Sequence, residues 1–122
     1  MAGRPKEEPV VEKCRDEVIL MTTLPNMDAA LTLVRALVEE RLVACGSALP
    51  GAISQYYWQG ELCKEQETVV LLKTTPKNLS AIEARFSSLH PFEVPEMLTF
   101  TPDQISLPYR NWMHQELQSR AR

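Results

Sequence analysis

Cysteine is scarce in this chain. Its 122 residues include three, Cys14, Cys45 and Cys63, an odd number with no CxxC spacing. That argues against a disulfide scaffold and against a structural zinc site, and makes a reducing compartment, the cytoplasm, the expected location. Cations are in short supply too: 13 Lys and Arg face 16 Asp and Glu, for a net charge of -3. No stretch collects them, so neither nucleic acid nor a membrane is an expected partner. No apolar run approaches the ~18 residues that cross a bilayer. The opening MAGRPKEEPVVEKCRD has no apolar centre and does not read as a signal peptide. It is polar and contains proline, so residues 1–15 read as a flexible tail ahead of a single domain over 16–119. There are 2 histidines, His90 and His114. No phosphate loop, dinucleotide fingerprint or nucleophile elbow is present, and no Ser-His-Asp or Cys-His pair is close in sequence. The chain does not read as an enzyme, and no organic cofactor is expected.

What is there is a long ribbon. Residues 42–75, LVACGSALPGAISQYYWQGELCKEQETVVLLKTT, contain two β-prone runs around a turn at Gln59-Gly60-Glu61. The first arm, residues 44–58, would extend roughly 50 Å at ~3.3 Å per residue. A compact domain of this size has a radius of gyration of only ~14 Å. Pro50-Gly51 marks a bulge or bend, because proline cannot donate to a ladder. Tyr56, Tyr57 and Trp58 sit near the tip, beyond reach of a monomer core. Exposed aromatics on a projecting ribbon call for a cover, and another copy of the chain is the expected one. The competing reading is that the ribbon folds back at Pro50 and covers itself.

The remaining elements surround it. Residues 17–22 (EVILMT) form a continuous apolar run, the pattern of a central strand. Asn26 caps a helix over 27–41 with Met27, Ala30, Leu31, Val34, Leu37 and Val38 on one stripe. Thr75 and Pro76 open a second helix with Leu79, Ile82, Phe86 and Leu89 on its apolar side, stopped by His90-Pro91. Residues 96–101 read as a fourth strand, and a last helix runs from Pro108 to about Gln118. The order β-α-β-β-α-β, then α, is an α+β, ferredoxin-like arrangement. It implies an antiparallel sheet in strand order 4-1-3-2, a long protruding hairpin between the second and third strands, and a C-terminal helix. Both crossover helices then share one face and leave the other bare.

Few residues are candidates for chemistry. His90 ends a helix and begins the segment Pro91-Phe92-Glu93-Val94-Pro95-Glu96; it is either a ligand or a cap on the last helical carbonyls. Cys45 is either a small core residue or one soft ligand for a copper-type ion, with imidazole as another. Glu61, Glu65 and Glu67 read as a solvated edge, and His114 as a solvated surface residue. Lys73 is a cation at the end of a central strand, aimed at a strand-end crevice.

Glu39-Glu40-Arg41-Leu42-Val43-Ala44-Cys45, Pro50-Gly51, Ser54-Gln55-Tyr56-Tyr57-Trp58-Gln59-Gly60, Leu71-Leu72-Lys73-Thr74, His90-Pro91-Phe92-Glu93-Val94-Pro95-Glu96 and Tyr109-Arg110-Asn111-Trp112 resemble, in order, the CutA divalent-cation-tolerance family. The resemblance covers about residues 17–117. Ser47 stands where the family usually has Asn, and Phe92 where it usually has Tyr. The resemblance implies a ferredoxin-like homotrimer assembled through its hairpins and linked to tolerance of divalent metals, copper above all. On that reading Cys45 and His90 are metal ligands, with Glu93 and Glu96 as helpers. The alternative is a small-molecule-sensing signalling trimer. Its ligand would lie in clefts between subunits, lined by Trp58, Lys73 and His90, with Tyr56 and Tyr57 at the interface.

Overall fold

The computed structural model describes residues 11–14 and 16–118. Its elements in chain order are β1 (Val11–Lys13), β2 (Val18–Leu24), α1 (Met27–Glu39), β3 (Cys45–Trp58), β4 (Glu61–Thr74), α2 (Leu79–Leu89), β5 (Leu98–Phe100), β6 (Gln104–Ser106) and α3 (Leu107–Leu117). The main sheet is antiparallel, with order β3-β4-β2-β5. Numbered over its four strands alone, that is the expected 4-1-3-2 order read from the other edge. The required pairing is present: Thr22 stands opposite Val70 and Val18 opposite Thr74.

Alternation on β2 places Val18, Leu20, Thr22 and Leu24 on the helix side, all buried, while Ile19, Met21 and Thr23 face the other way and are half-buried. The core is built there, from Leu20, Leu24, Leu33, Leu37, Val70, Leu72, Ile82 and Phe86. Asn26 caps α1 as expected, its Oδ1 accepting from the Ala29 N–H at 2.8 Å. The stripe is rotated from the expected one. Leu33 is fully buried and Leu31 is 53 % exposed, because α1 is apolar on more than one side and the sheet, not the helix, selects the face. Gly46 lets α1 sit close: a Cβ there would stand 2.8 Å from Val34 Cγ1 and 2.9 Å from Leu72 Cδ2.

Thr75 begins a 3-10 turn over Pro76–Asn78 and makes no side-chain cap. Its Oγ1 is buried without a hydrogen-bond partner, and α2 starts only after that turn, at Leu79. The fourth strand of the main sheet is also short, only Leu98–Phe100. Within the stretch expected to be a tail, Val11–Lys13 pair antiparallel with Gln104–Ser106. The Cys14 N–H extends this by donating to the Asp103 carbonyl at 3.0 Å. Most of the expected tail, residues 1–10 and 15, lies outside the described residues. Among the described residues no helix is long and apolar enough to cross a membrane.

The ribbon is as long as its composition implied. β3 and β4 are each 14 residues, ~47 Å of strand at ~3.3–3.4 Å per residue. The register shifts between Leu49 and Ala52, where Pro50 lacks a donor and Gly51 takes φ 87. At the tip Gln59 and Gly60 have φ 51 and 83, the geometry of a two-residue hairpin turn whose twist matches the strands. β2 supports β4 only over Thr68–Thr74. The distal part, Ala52 to Glu67, is therefore a two-stranded ribbon, which is marginal on its own in water.

A cleft under the ribbon as the candidate functional site

Pairing gives the distal ribbon two distinct faces. Tyr56 stands opposite Cys63, Ser54 opposite Glu65 and Ala52 opposite Glu67, so Tyr56, Trp58, Cys63, Glu65 and Glu67 share one side. Ile53, Tyr57 and Leu62 share the other and are 57 %, 73 % and 65 % exposed. The first side and the loop after α2 enclose a cleft of about 640 Å³. Phe92, Glu93 and Glu96 supply the loop wall, and Tyr56, Trp58, Glu65 and Glu67 the ribbon wall.

The cleft is acidic. Glu65, Glu67, Glu93 and Glu96 line it, and among the described residues no Lys, Arg or His does. Tyr56 donates its hydroxyl to Glu65 Oε1 at 2.5 Å, which, with the adjacent negative charge, pushes its ionisation up to about 12. Glu67 is 7 % exposed, and no described residue pairs with its carboxylate. Glu65 and Glu67 had read as part of a solvated edge. Glu67 is instead buried beside the bulge, opposite Ala52, on the cleft wall that faces the loop at 91–96. Their spacing of two was the available signal, since it puts both on one face of a strand.

Loop position is set by His90. Its backbone N–H donates to the Phe86 carbonyl, 2.8 Å away, at the end of α2, while its ring bonds other partners than the helical carbonyls. The ring lies between Phe86 and Phe92, with centroids 5.2 Å from each. The Phe92 N–H donates to Nδ1 at 3.2 Å. In the neutral ring the proton is then on Nε2, which donates to Thr22 Oγ1 at 3.1 Å. Phe92 thus serves through its backbone and ring face, and the missing hydroxyl is not used in these contacts. Burial lowers the His90 pKa from 6.5. The folded chain binds this proton less readily than the unfolded chain, so the contribution to stability is complete above pH 6.5 and is lost as pH falls below it, towards the depressed folded value. His90→Gln should flatten that part of the stability-against-pH curve in urea titrations; an unchanged slope between pH 5 and ~6.5 would assign it to another group.

Cys45 lies elsewhere. Gly46 faces α1 and Cys45 faces the opposite side of the sheet, where its sulfur is 3.6 Å from the Tyr109 hydroxyl. Burial raises the Tyr109 pKa, with the Cys45 contact adding to it. Lys73 is on the same open face, donating to Ser47 Oγ at 2.8 Å. Thr22, the partner of His90, is on the helix side. One chain therefore brings Glu93 and Glu96 together with Tyr56 and Trp58, but not Cys45 with His90, nor Lys73 with the cleft. Tyr57 points away from it. The sequence reading missed a second polar centre altogether. Glu17, 2 % exposed, accepts from Arg110 Nε at 3.1 Å and stands 2.5 Å from His114 Nε2. His114 is thus a hydrogen-bond partner of a buried carboxylate rather than a solvated residue. Cys14 donates to Glu17 Oε1 at 3.1 Å, and burial with that bond pushes its thiol up.

The description "CutA1 divalent ion tolerance protein" matches residues 18–116. The chain belongs to this family. A divalent-cation tolerance protein CutA from Thermus thermophilus is 37% identical over 99 residues, covering 81% of this chain and 96% of that one. The structure of CutA from Synechococcus elongatus PCC7942 superposes with a TM-score of 0.85 at 36% identity, over 89% of this chain and 96% of its own. A structure of the same cyanobacterial protein complexed with a Bis-Tris molecule superposes with a TM-score of 0.81 at 34% identity, covering 88% and 99%. Family membership links the fold to divalent-cation tolerance, and every element of the cleft wall falls inside the matched span.

Proposed function

We propose that this protein is a non-enzymatic homotrimer of the cytoplasm whose acidic clefts take up cations, divalent metal ions and copper among them. The carrying observation is the cleft itself: carboxylates on both walls, no cationic side chain among the described residues, and Glu67 buried without a described partner. Carboxylates on facing walls set up a negative potential that draws positive charge, so such a cleft favours a positive occupant. Assembly is supported by the outward ribbon face, Ile53, Tyr57 and Leu62, and by the exposed edge strand with Leu98 and Phe100. A second copy is the partner that a self-complementary ribbon selects. Tyr56, Trp58 and Lys73 would then lie at or near the subunit boundaries. Cys45 and His90 enter as ligands only if different subunits supply them, since one chain holds them on opposite sides of its sheet, and His90 would have to give up one of two hydrogen bonds. Free Cys14, Cys45 and Cys63 fit a reducing compartment.

A second reading, a trimer that senses a small molecule, is favoured by the cleft volume and by the Bis-Tris complex of the cyanobacterial relative. Calorimetric titration with manganese, zinc and, under anaerobic reducing conditions, copper tests the first. Glu93→Gln combined with Glu96→Gln should weaken manganese and zinc at least tenfold, as oxygen donors suit those ions. Cys45→Ser should affect copper alone. Metal binding unchanged in both variants would remove these residues from the proposal.

A further inference from the structure

We propose that the cleft under the ribbon selects an organic ammonium ion with an apolar body, such as a small alkyl diamine, over a bare metal ion. This rests on the cation-binding reading above and names the class of cation. Charge alone does not decide it, because the four carboxylates attract any cation. Spacing does. Among the described residues no group of three or more His, Cys, Asp and Glu stands close enough to hold a metal ion. A calcium or zinc ion needs four to eight donors converging at roughly 2.0–2.6 Å. An ammonium group asks less. Its N–H groups reach carboxylate oxygens at ~2.7–2.9 Å and are content with two or three of them.

The lining adds a feature that a metal ion does not use. Trp58, Tyr56 and Phe92 bring aromatic rings to the same cleft as Glu67. Ring faces attract ammonium ions, tryptophan most strongly, and give an alkyl stem an apolar surface to cover. The Tyr56 hydroxyl is already committed to Glu65, so Tyr56 offers its ring rather than a further donor. A volume of about 640 Å³ is far larger than an ion fills and is in the range of small-molecule sites. In this arrangement Glu67 is the inner anchor: it is the most buried of the four carboxylates, at 7 % exposure. A second ammonium four carbons away would meet the carboxylates nearer the mouth.

The test is calorimetry on the full-length protein with 1,4-diaminobutane, 1,4-butanediol and zinc chloride in separate titrations at fixed ionic strength. The diamine should bind, the uncharged diol should not, and zinc should be at least tenfold weaker than the diamine. Glu67→Gln, nearly isosteric, should weaken the diamine at least tenfold, and Trp58→Leu should weaken the diamine more than zinc. Glu93→Gln, on the loop wall, gives a second carboxylate variant should Glu67→Gln disturb folding; it should weaken the diamine severalfold. Zinc binding without diamine binding would overturn the ammonium assignment while leaving the cation reading intact. Neither binding would overturn both. Diamine affinity unchanged in Glu67→Gln and Glu93→Gln would show general charge attraction and overturn the site.

Discussion

Replacing Ile53 and Leu62 together by glutamate should reduce the protein to single chains of 13.9 kDa at concentrations where the parent is assembled. Both side chains lie on the outward face of the distal ribbon, at 57 % and 65 % exposure, and β2 gives that part of the ribbon no third strand. In the proposed homotrimer those side chains would meet a neighbour. Each buried apolar anchor contributes about 2 kcal/mol or more at an interface, so the pair should lower the association constant about a thousandfold. Size-exclusion chromatography with light scattering reads the outcome. An unchanged assembly would mean that this face is not the interface, and the ribbon would then pack through its cleft side.

A second large effect is expected inside the chain. Glu17→Ala should destabilise the fold by about 3–5 kcal/mol, the cost of breaking a buried ion pair from one side. Glu17 is 2 % exposed and ties Arg110, His114 and Cys14 to the start of β2. Arg110 is 19 % exposed and also reaches Glu12 at 3.0 Å, so the cluster fastens β1 and α3 to the main sheet. The arginine would be left with a shorter list of partners in a largely desolvated position. Urea unfolding at equal chain concentration, needed because the proposed assembly would contribute to stability, measures the loss. A change below about 1 kcal/mol, the scale of an exposed pair, would place the cluster among surface contacts.

Local signals carried much of this structure. Asn26 before an apolar helix, Pro50-Gly51 in mid-arm and Gln59-Gly60 at the tip each act within a few residues, and each took the conformation its chemistry requires. The strand order also followed, since few topologies accommodate two amphipathic helices and four strands in that sequence order. Leu33 was missed because α1 has apolar residues at 29–31, 33 and 34, and several stripes fit one helix. β1 and β6 are three residues each and mostly polar, too short for a periodicity to show.

The candidate site was less legible, for a physical reason. Glu67 lines a cleft whose other wall is a loop more than twenty residues later in the chain, and Glu17 is bound by a helix near the other terminus. Burial of a charge is a property of what covers it, and no pattern near either glutamate announces the cover. His90 illustrates the converse. Its place at a helix end was readable, but only three-dimensional contacts show both ring nitrogens engaged, to Phe92 and Thr22. The motif that suggested a ligand is, within one chain, what holds the cleft loop in place.

The proposal that copies of the chain complete one another rests on the ribbon and its exposed apolar face, and the mass in solution tests it most directly. Light scattering on the unmodified protein, from micromolar concentration down through dilution, should give three times 13.9 kDa throughout the assembled range. A species of 13.9 kDa at every concentration, with the ribbon intact, would contradict it.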